Sequence, residues 1–511
     1  MTGPEVVIVG GGHNGLVAAA YLARAGRRVQ VLERLDHVGG AAVSAHAFDG
    51  VDARLSRYSY LVSLLPRRIV DELGARVRLA RRRYSSYTPD PATAGRTGLL
   101  IGPQSTFGAV GASGDEAGFA EFYRRCHIVT SRLWPTLTQP LRTRDEARRH
   151  AGDDAAWRFV VDEPIGHAIT EAVSNDLVRG VMATDALIGT FARADDPTLT
   201  QNVCFLYHLV GGGTGDWDVP VGGMGAVSGA LAAAAAGHGA EILTGADVYA
   251  FDPAGEVRYR RDGQEHRVHA DFVLANVTPV VLARLLGEPE PTLAPGAQIK
   301  VNLMLRRLPR LRDDSVTPVQ AFGGTFHINE TFSQLDTAYT RAVHGVVPDP
   351  LPCEIYCHSL TDPSILSDRL RESGAQTLTV FGLHTPHSLI AGGDPVRMRD
   401  ALTSAVLNSL NTVLAEPIQD VLMEDSAGRL CIEAKTTVDL EQTLGMTGGN
   451  IFHGALAWPF AEDEEPLDTP ARRWGVATAH DRILLCGAGS RRGGGVSGIG
   501  GHNAAMAVLE S

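Results

Sequence analysis

Short apolar runs and a glycine-rich turn alternate at the start of the chain. Residues 6–9 are all apolar and β-branched, which predicts a buried strand, and residues 16–25 predict a helix. Gly26 predicts the end of that helix, and residues 28–32 predict a second strand that ends at Glu33. A strand, a glycine turn, a helix and a second strand in this order form a βαβ unit, which predicts a parallel sheet of the Rossmann type.

Two kinds of pattern follow later in the chain. Residues 240–243, 272–276 and 483–489 are mainly apolar and predict further strands of the parallel sheet, the last of which runs into a turn. Residues 299–305 alternate instead, with Ile299, Val301, Leu303 and Leu305 on one face and Lys300, Asn302 and Met304 on the other. This alternation, with strands at 353–358 and 377–381, predicts an antiparallel sheet. Phe119, Phe122, Tyr123 and Cys126 have helical spacing.

Charge and cysteine content narrow the class of protein. The 511 residues include 46 Lys+Arg and 58 Asp+Glu, a net charge of −12, which argues against a nucleic-acid binder. The six cysteines are scattered and lack zinc-site spacing, so we expect a reducing compartment and no metal. Residues 1–5 show no export signal and no stretch is apolar enough to span a bilayer. We therefore expect a cytoplasmic protein; peripheral membrane contact and a homodimer stay open.

The glycine turn after the first strand carries the clearest chemistry. Gly10 permits a tight turn, Gly12 lets the backbone approach a pyrophosphate, and Gly15 allows close packing of helix on strand. Glu33 is placed to accept hydrogen bonds from a ribose diol, and the adjacent Arg34 leaves open a cofactor with a 2′-phosphate. The sequence therefore predicts a dinucleotide site, and its remaining turn residues are His13 and Asn14.

Two further glycine segments favour non-covalent FAD as the dinucleotide. Gly39, Gly40 and Ala41 follow Glu33 as a second approach to the pyrophosphate. We find no second strand–GxGxxG–helix unit for NAD(P)H. Near the C-terminus, a glycine-rich turn precedes a helix predicted over residues 504–510, where free N–H groups suit the ribityl chain and pyrimidine edge of a flavin. The residues expected to contribute there are Gly487, Gly489, Gly495, Val496 and Gly498.

These motifs, in this order, resemble the phytoene desaturase-like branch of the FAD-dependent amine-oxidase superfold, and most closely its PYROXD2-like members. The segments that carry the resemblance are Gly11-Gly12-His13-Asn14-Gly15, Val38-Gly39-Gly40-Ala41-Ala42, Gly222-Gly223-Met224-Gly225, Thr447-Gly448-Gly449-Asn450 and Gly493-Gly494-Gly495-Val496-Ser497-Gly498. The chain departs from the family at Ser490-Arg491-Arg492, where a Thr-His-Pro-like sequence is expected, and this predicts a changed charge near the flavin.

The resemblance implies an α/β fold with a discontinuous FAD-binding domain. That domain would comprise residues 1–88, 218–292 and 440–511, with Val248 against the cofactor. Residues 89–217 and 293–439 would form a substrate-binding domain of antiparallel sheet and helices. The implied activity is removal of a hydride from a C–H bond of a largely apolar small molecule, such as an isoprenoid, with O₂ or a quinone as acceptor. A flavin amine oxidase and a non-catalytic prenyl-lipid carrier are the alternatives.

Three residues are candidates for catalysis. Lys300 resembles a family lysine that holds a water at flavin N5, although a solvated lysine is the alternative. His453 lies in a glycine-rich segment and suits acid/base work, with a structural histidine as the alternative. Tyr58 follows the glycine doublet and is placed to line the substrate face of the flavin, or else to lie on a surface loop.

Overall fold

The computed structural model describes residues 3–511, and most of them lie in two sheets and a helical layer. In chain order the strands are β1 (Val6–Val9), β2 (Val29–Leu32), β3 (Ser44–His46), β4 (Arg54–Ser56), β5 (Leu79–Ala80), β6 (Ser86–Pro89), β7 (Gly98–Ile101), β8 (Val219–Pro220), β9 (Glu241–Leu243), β10 (Asp247–Phe251), β11 (Glu256–Arg261), β12 (Gln264–His269), β13 (Phe272–Ala275), β14 (Ile299–Leu305), β15 (Thr325–Ile328), β16 (Cys353–Tyr356), β17 (Gln376–Gly382), β18 (Ile432–Lys435) and β19 (Ile483–Leu485).

The helices connect these strands and cover their faces. In chain order they are α1 (His13–Arg24), α2 (Arg67–Leu73), α3 (Glu116–Leu133), α4 (Arg144–Ala151), α5 (Asp154–Trp157), α6 (Ile165–Ala172), α7 (Asp176–Ala183), α8 (Thr200–Leu209), α9 (Met224–Gly237), α10 (Pro279–Leu286), α11 (Pro318–Ala321), α12 (Phe332–Val343), α13 (His358–Thr361), α14 (Asp368–Glu372), α15 (His387–Ala391), α16 (Pro395–Asn411), α17 (Thr437–Leu444), α18 (Pro470–Arg473) and α19 (Ile499–Leu509). No helix among residues 3–511 is long and apolar enough to cross a membrane.

The first sheet is parallel and confirms the predicted Rossmann-like arrangement. Its strand order is β19-β13-β1-β2-β9, with β1 at the centre. The central strand β1 is buried on both faces, which explains why it is a continuous apolar run, whereas β2 contains Gln30 and the edge strand β9 begins with the exposed Glu241. Helices α1, α9 and α19 pack on one face through Leu16, Leu231 and Ala504, among other residues.

The second sheet has seven strands in the order β18-β14-β17-β16-β15-β6-β7 and is mainly antiparallel. The predicted alternation in β14 is confirmed, because Ile299, Val301, Leu303 and Leu305 belong to an apolar core that α16 covers. The opposite face is mixed: β14, β17, β16 and β15 place Lys300, Phe381, Glu354 and His327 in one row across the sheet.

The five strands of the parallel sheet come from all three segments assigned to the FAD-binding domain. Strand β6 pairs within the second sheet, so that sheet begins before the boundary proposed at residue 88.

The last helix begins earlier than the sequence predicts. It starts at Ile499 rather than at residue 504, with Gly498 as its N-cap at φ 72°. Gly500 and Gly501 therefore lie inside the helix. Glycine is required at residue 501 because α19 crosses α1 too closely for a side chain. A Cβ on Gly501 would lie 1.9 Å from the carbonyl oxygen of Asn14. Close helix packing overrides the low helix propensity of glycine here.

Candidate active site

A cleft of about 1030 Å³ opens at the carboxyl ends of β1, β2 and β13. This is the edge of a parallel sheet at which ligands bind in open α/β folds. Nine of the sixteen residues predicted to bind the cofactor line it, namely Gly10, Gly12, His13, Asn14, Glu33, Arg34, Gly40, Ala41 and Val248. The structure therefore brings both halves of the N-terminal glycine motif to one cleft.

The glycines of the first turn are required by close backbone contacts. Gly10 has φ 102°, and a Cβ there would lie 2.7 Å from the carbonyl oxygen of Asn276. A Cβ on Gly15 would lie 2.3 Å from the carbonyl oxygen of Gly10. Gly15 therefore lets α1 pack closely against the glycine turn. Gly15 does not itself line the cleft. The N-terminus of α1 consequently faces the cleft, with its partial positive charge.

Glu33 lies at the end of β2 and holds the turn in place. Its Oε2 accepts a hydrogen bond from Gly11 N at 2.7 Å, and its Oε1 accepts one from Leu35 N at 2.8 Å. Each carboxylate oxygen keeps lone pairs for further donors, so the group can still accept from a diol. Arg34 turns the other way and donates from Nη2 to the carbonyl of Thr443 at 2.7 Å.

The C-terminal glycine turn meets the N-terminal turn directly. His13 Nε2 lies 3.1 Å from the carbonyl oxygen of Gly495, a contact between residues 482 positions apart. Gly495 and Val496 line a second cavity, whereas Gly487, Gly489 and Gly498 line neither cavity, and of these three Gly487 and Gly498 are buried. Gly39 is buried as well, and a Cβ there would come within 2.8 Å of Val43 Cγ1.

The second cavity has a volume of about 830 Å³ and an apolar, aromatic wall. Its aromatic residues are Tyr58, Tyr60, Tyr207, Trp217, Phe381 and Phe452, and its aliphatic residues include Leu61, Leu64, Ile188, Leu440 and Ile451. No carboxylate is among the described residues that line it. The two cavities share His13, Ala41, Met446, His453 and Ala488, so they lie side by side.

His453 lies at the junction of the two cavities and has three unusual features. Its φ is 64°, a left-handed conformation that histidine rarely adopts. Its Nδ1 is buried without a hydrogen-bond partner. Desolvation, together with the nearby His13, lowers its pKa to about 4, so the ring is neutral at pH 7. A neutral imidazole on a left-handed backbone position, with its buried Nδ1 unpaired, fits a role toward a ligand.

Lys300 and Tyr58 lie on two sides of the segment that follows the glycine doublet. Lys300 is 4% exposed, and its Nζ donates to the carbonyl of Ser56 at 2.6 Å and to that of Ser59 at 2.9 Å. Burial lowers its pKa to about 7. Lys300 is not among the described residues that line either cavity. Its two hydrogen bonds instead hold the backbone of residues 56–59 in place. Tyr58 does line the second cavity.

The expected change of charge at Ser490-Arg491-Arg492 stays a prediction: burial raises the pKa of Tyr207, which lines the second cavity, and the charges of Arg492 and Arg491 oppose that rise. Arg491 turns outward and pairs with Glu465 at 2.6 Å. Arg492 is 1% exposed and turns into the interior, where it donates to the carbonyls of Thr136, Gln139 and Trp474. Both guanidinium groups are taken up by structural contacts, and neither lines a cavity.

Sequence reasoning missed several residues of the site. Asn276 follows β13, lines the cleft and donates from Nδ2 to the carbonyl of Gly10 at 2.9 Å. A polar residue directly after a core strand is a signal that could have identified it. Ile188, Tyr207 and Trp217 come from the helical region, where nothing in the local pattern separates a cavity wall from a packed core.

Comparisons with known proteins agree with this geometry. A family model described as an NAD(P)-binding Rossmann-like domain matches residues 8–67. The uncharacterized protein Rv0897c of Mycobacterium tuberculosis (strain ATCC 25618 / H37Rv) is 70% identical, with 99% of this chain and 97% of that protein covered. The solved structure of cyclohexylamine oxidase from Brevibacterium oxydans IH-35A has a TM-score of 0.56 at 12% identity, with both chains fully covered.

A relative with an assigned domain decides the family. The pyridine nucleotide-disulfide oxidoreductase domain-containing protein 2 of Mus musculus is 30% identical, with 99% of this chain and 93% of that protein covered. The chain therefore belongs to the family of that protein and is an oxidoreductase with a dinucleotide-binding domain and the amine-oxidase fold.

Proposed function

We propose that the protein is an FAD-dependent oxidoreductase that removes a hydride from a C–H bond of a neutral, largely apolar small molecule, with isoprenoids as the first candidates. The observation that carries the proposal is that the two cavities adjoin and share five lining residues. A dinucleotide in the cleft would extend toward the apolar cavity, so a substrate there would face the reactive end of the cofactor. O₂ or a quinone would complete the cycle.

The residues present fit FAD. Gly12 and Gly40 face each other so closely that a Cβ on Gly40 would lie 3.2 Å from Gly12 Cα, and both line the cleft. This cradle has backbone where side chains would exclude a pyrophosphate. Glu33 would accept from the ribose, and the turn at Gly495 and Val496 would hold the isoalloxazine end. When bound, FAD supplies the capacity to accept a hydride.

The chain's own part in the reaction would be binding, orientation and exclusion of water. The aromatic and aliphatic wall of the second cavity would desolvate an apolar substrate and hold its C–H bond in place. His453, neutral at pH 7, would offer Nδ1 as a hydrogen-bond partner at the junction. Tyr58 would line the substrate side.

The wall of the second cavity also bears on the alternative, an amine oxidase. Aromatic rings can stabilise a cation, and Tyr60, Trp217 and Phe381 line this cavity. Without a lining carboxylate, however, an alkylammonium group would lose its hydration with no charge partner, which is costly. The cavity therefore favours a substrate that is neutral at its reacting group.

Anaerobic mixing of the FAD-loaded protein with isoprenoid hydrocarbons, isoprenoid alcohols and alkylamines tests the proposal. We expect the flavin absorbance to bleach with at least one isoprenoid, and more slowly or not at all with amines of similar size. Bleaching by amines alone would favour the amine oxidase. Purified protein that is colourless, and remains so after incubation with FAD, would contradict the proposal.

A Lys300→Met variant separates support of the site from direct participation. If Lys300 holds a water at the flavin, reoxidation by O₂ should slow by about tenfold or more while FAD retention stays near normal. If it only supports residues 56–59, substrate-dependent reduction should slow instead, because Tyr58 and Tyr60 lose their fixed positions. Stopped-flow rates of the two half-reactions distinguish these outcomes, and Lys435→Met, on the neighbouring edge strand, is the matched control.

A further inference from the structure

Three polar side chains of the second sheet meet in the interior, outside both cavities. His327 lies on β15 and pairs with Glu354 on the adjacent β16, and Glu330 follows His327 by three residues. His327 is 4% exposed, Glu354 is 2% exposed and Glu330 is 1% exposed. One imidazole or carboxylate atom from each residue lies within 4.8 Å of the other two. None of the three lines the cleft or the second cavity, so the proposed reaction does not use them.

The backbone that carries Glu330 is fixed on several sides. Asn329 follows β15 directly and has φ 57°, a left-handed conformation that ends the strand. Thr331, on the other side of Glu330, is the N-cap of α12. Helix α7 packs so closely here that a Cβ on Gly180 would lie 1.7 Å from the carbonyl oxygen of Glu330. The cluster is therefore built on rigid elements, as a preorganised binding site must be.

The two buried carboxylates lack a basic side chain to balance their charge. In the described part of the chain, no lysine or arginine nitrogen lies within 4.0 Å of Glu330 or Glu354. Arg82 lies farther away, and its Nε and Nη1 donate to a backbone carbonyl and a hydroxyl instead. Two ionised carboxylates against one imidazole leave an excess of negative charge. Buried charge without compensation is costly, and buried glutamates are rare unless they are paired or bind a cation.

One oxygen atom of the cluster has no partner. Glu330 Oε1 is buried without a hydrogen bond, although Oε2 of the same carboxyl group lies 2.7 Å from His327 Nδ1. Buried polar atoms are nearly always paired, so an orphaned carboxylate oxygen points to a ligand at this atom. The distance between Nδ1 and Oε2 is also close to the roughly 3 Å that separates neighbouring ligand atoms around one cation with bonds of about 2.1 Å.

We propose that His327, Glu330 and Glu354 bind one divalent transition-metal ion. An imidazole nitrogen with two carboxylates suits Zn²⁺, Mn²⁺ or Fe²⁺, whereas Ca²⁺ and Mg²⁺ favour oxygen ligands alone. A neutral imidazole and two carboxylates carry a charge of −2, which the ion balances. A proton shared between Nδ1 and Oε2 leaves to solvent when the ion binds. The expectation of no metal rests on the spacing of cysteines, and this site uses none.

Glu354 is oriented for this role by two hydroxyl groups. Thr184 Oγ1 donates to its Oε1 at 3.1 Å, and the hydroxyl of Tyr356 donates to its Oε2. Metal-ligating carboxylates are commonly held by such hydrogen bonds, and each oxygen keeps a lone pair for the ion. Thr184 follows α7 directly, so the ion would join the sheet to the helical layer. Its removal should therefore destabilise the native state.

Metal analysis of the purified protein tests the site without any substrate. After growth with added Zn²⁺, Mn²⁺ and Fe²⁺ and gel filtration in a chelator, we expect about one equivalent of one of these metals per chain. Glu330→Gln and Glu354→Gln should each retain less than about a tenth of an equivalent. Glu433→Gln is the matched control, because it removes a carboxylate of the same sheet that Arg57 already balances at 2.8 Å. This control should retain the full equivalent.

Thermal unfolding gives a second measurement on the same proteins. An ion that binds only the native state stabilises it, so removal of the metal by unfolding and refolding in a chelator should lower the midpoint of the wild type and of Glu433→Gln. Glu330→Gln and Glu354→Gln should show no such response. If these variants do not fold, X-ray absorption at the metal edge of the wild type decides instead. It should show one imidazole and only nitrogen and oxygen ligands at about 2.0–2.2 Å.

Three results would overturn the site. The first is wild-type protein with less than about a tenth of an equivalent of the three metals, which would mean that a protonated glutamate relieves the charge of the cluster. The second is metal that persists in Glu354→Gln. The third is a ligand shell with sulfur or with several imidazoles, which would place the ion elsewhere. All of them are independent of flavin reduction, so failure of the metal site and failure of the proposed function are distinguishable.

Discussion

A Gly12→Val variant is expected to bind FAD at least about 100-fold more weakly, a loss of about 2.7 kcal/mol. Gly12 has φ −69° and ψ 169°, an extended conformation that valine adopts without strain. The expected loss of FAD affinity therefore comes from the valine side chain and not from backbone strain. Its Cβ would lie 3.1 Å from Asn276 Nδ2, and its methyl groups would occupy the space between Gly12 and Gly40 in which the pyrophosphate is proposed to lie.

Titration of the apoprotein with FAD, followed by quenching of flavin fluorescence, measures this loss. Gly229→Val is the matched control, because Gly229 lies on α9 and a Cβ there has no neighbour within 4 Å. The control should bind FAD as the wild type does and should be no less stable, because valine has a somewhat higher helix propensity than glycine. Equal affinity of Gly12→Val and wild type would show that the dinucleotide does not lie against this turn.

An Arg492→Met variant is expected to lower the free energy of unfolding by about 3 kcal/mol. The guanidinium group of Arg492 donates to three backbone carbonyls, those of Thr136, Gln139 and Trp474, and methionine removes this donor from all three, although Thr136 O still accepts from Gln139 N at 3.1 Å. Each unsatisfied buried group costs about 1–3 kcal/mol, and removal of a buried cation offsets part of the sum. The variant should therefore fold but unfold at a clearly lower denaturant concentration.

Urea unfolding curves measure this effect as a shift of the midpoint. Arg67→Met serves as the control, because the side chain of Arg67 is 91% exposed and its pair with Asp71 lies on the surface. That variant should change the free energy of unfolding by less than about 0.5 kcal/mol. An Arg492→Met protein as stable as the control would mean that water replaces the guanidinium at these carbonyls.

The hydrophobic pattern was sufficient to predict individual strands and helices of the fold. Strand β1 was predicted at its observed bounds, and so was β14, because one is a continuous apolar run and the other a regular alternation. Helix α1 begins at His13, three residues before the predicted start, because the glycine turn is tight enough for the helix to begin directly after Gly12. The dinucleotide cleft could be predicted because its motif is contiguous in sequence.

The substrate side of the site could not be predicted in the same way. Its wall combines Ile188, Tyr207, Trp217, Phe381 and Phe452, which come from four distant stretches of the chain. Each is an aromatic or aliphatic residue of the kind that fills any core, so its role appears only when the fold places it. The same holds for Glu354, which looks like an ordinary strand residue until the register sets it beside His327.

The order of strands in the parallel sheet has a consequence for biosynthesis. Strand β19 pairs with β13, and β13 pairs with β1, so the beginning and the end of the polypeptide are joined through one intermediate strand. A nascent chain on the ribosome exposes the edge of β13 until residues 483–485 emerge. Because such distant pairings form slowly and exposed edges aggregate, we expect chaperone dependence during synthesis and cofactor loading only after residues 483–485 have left the ribosome.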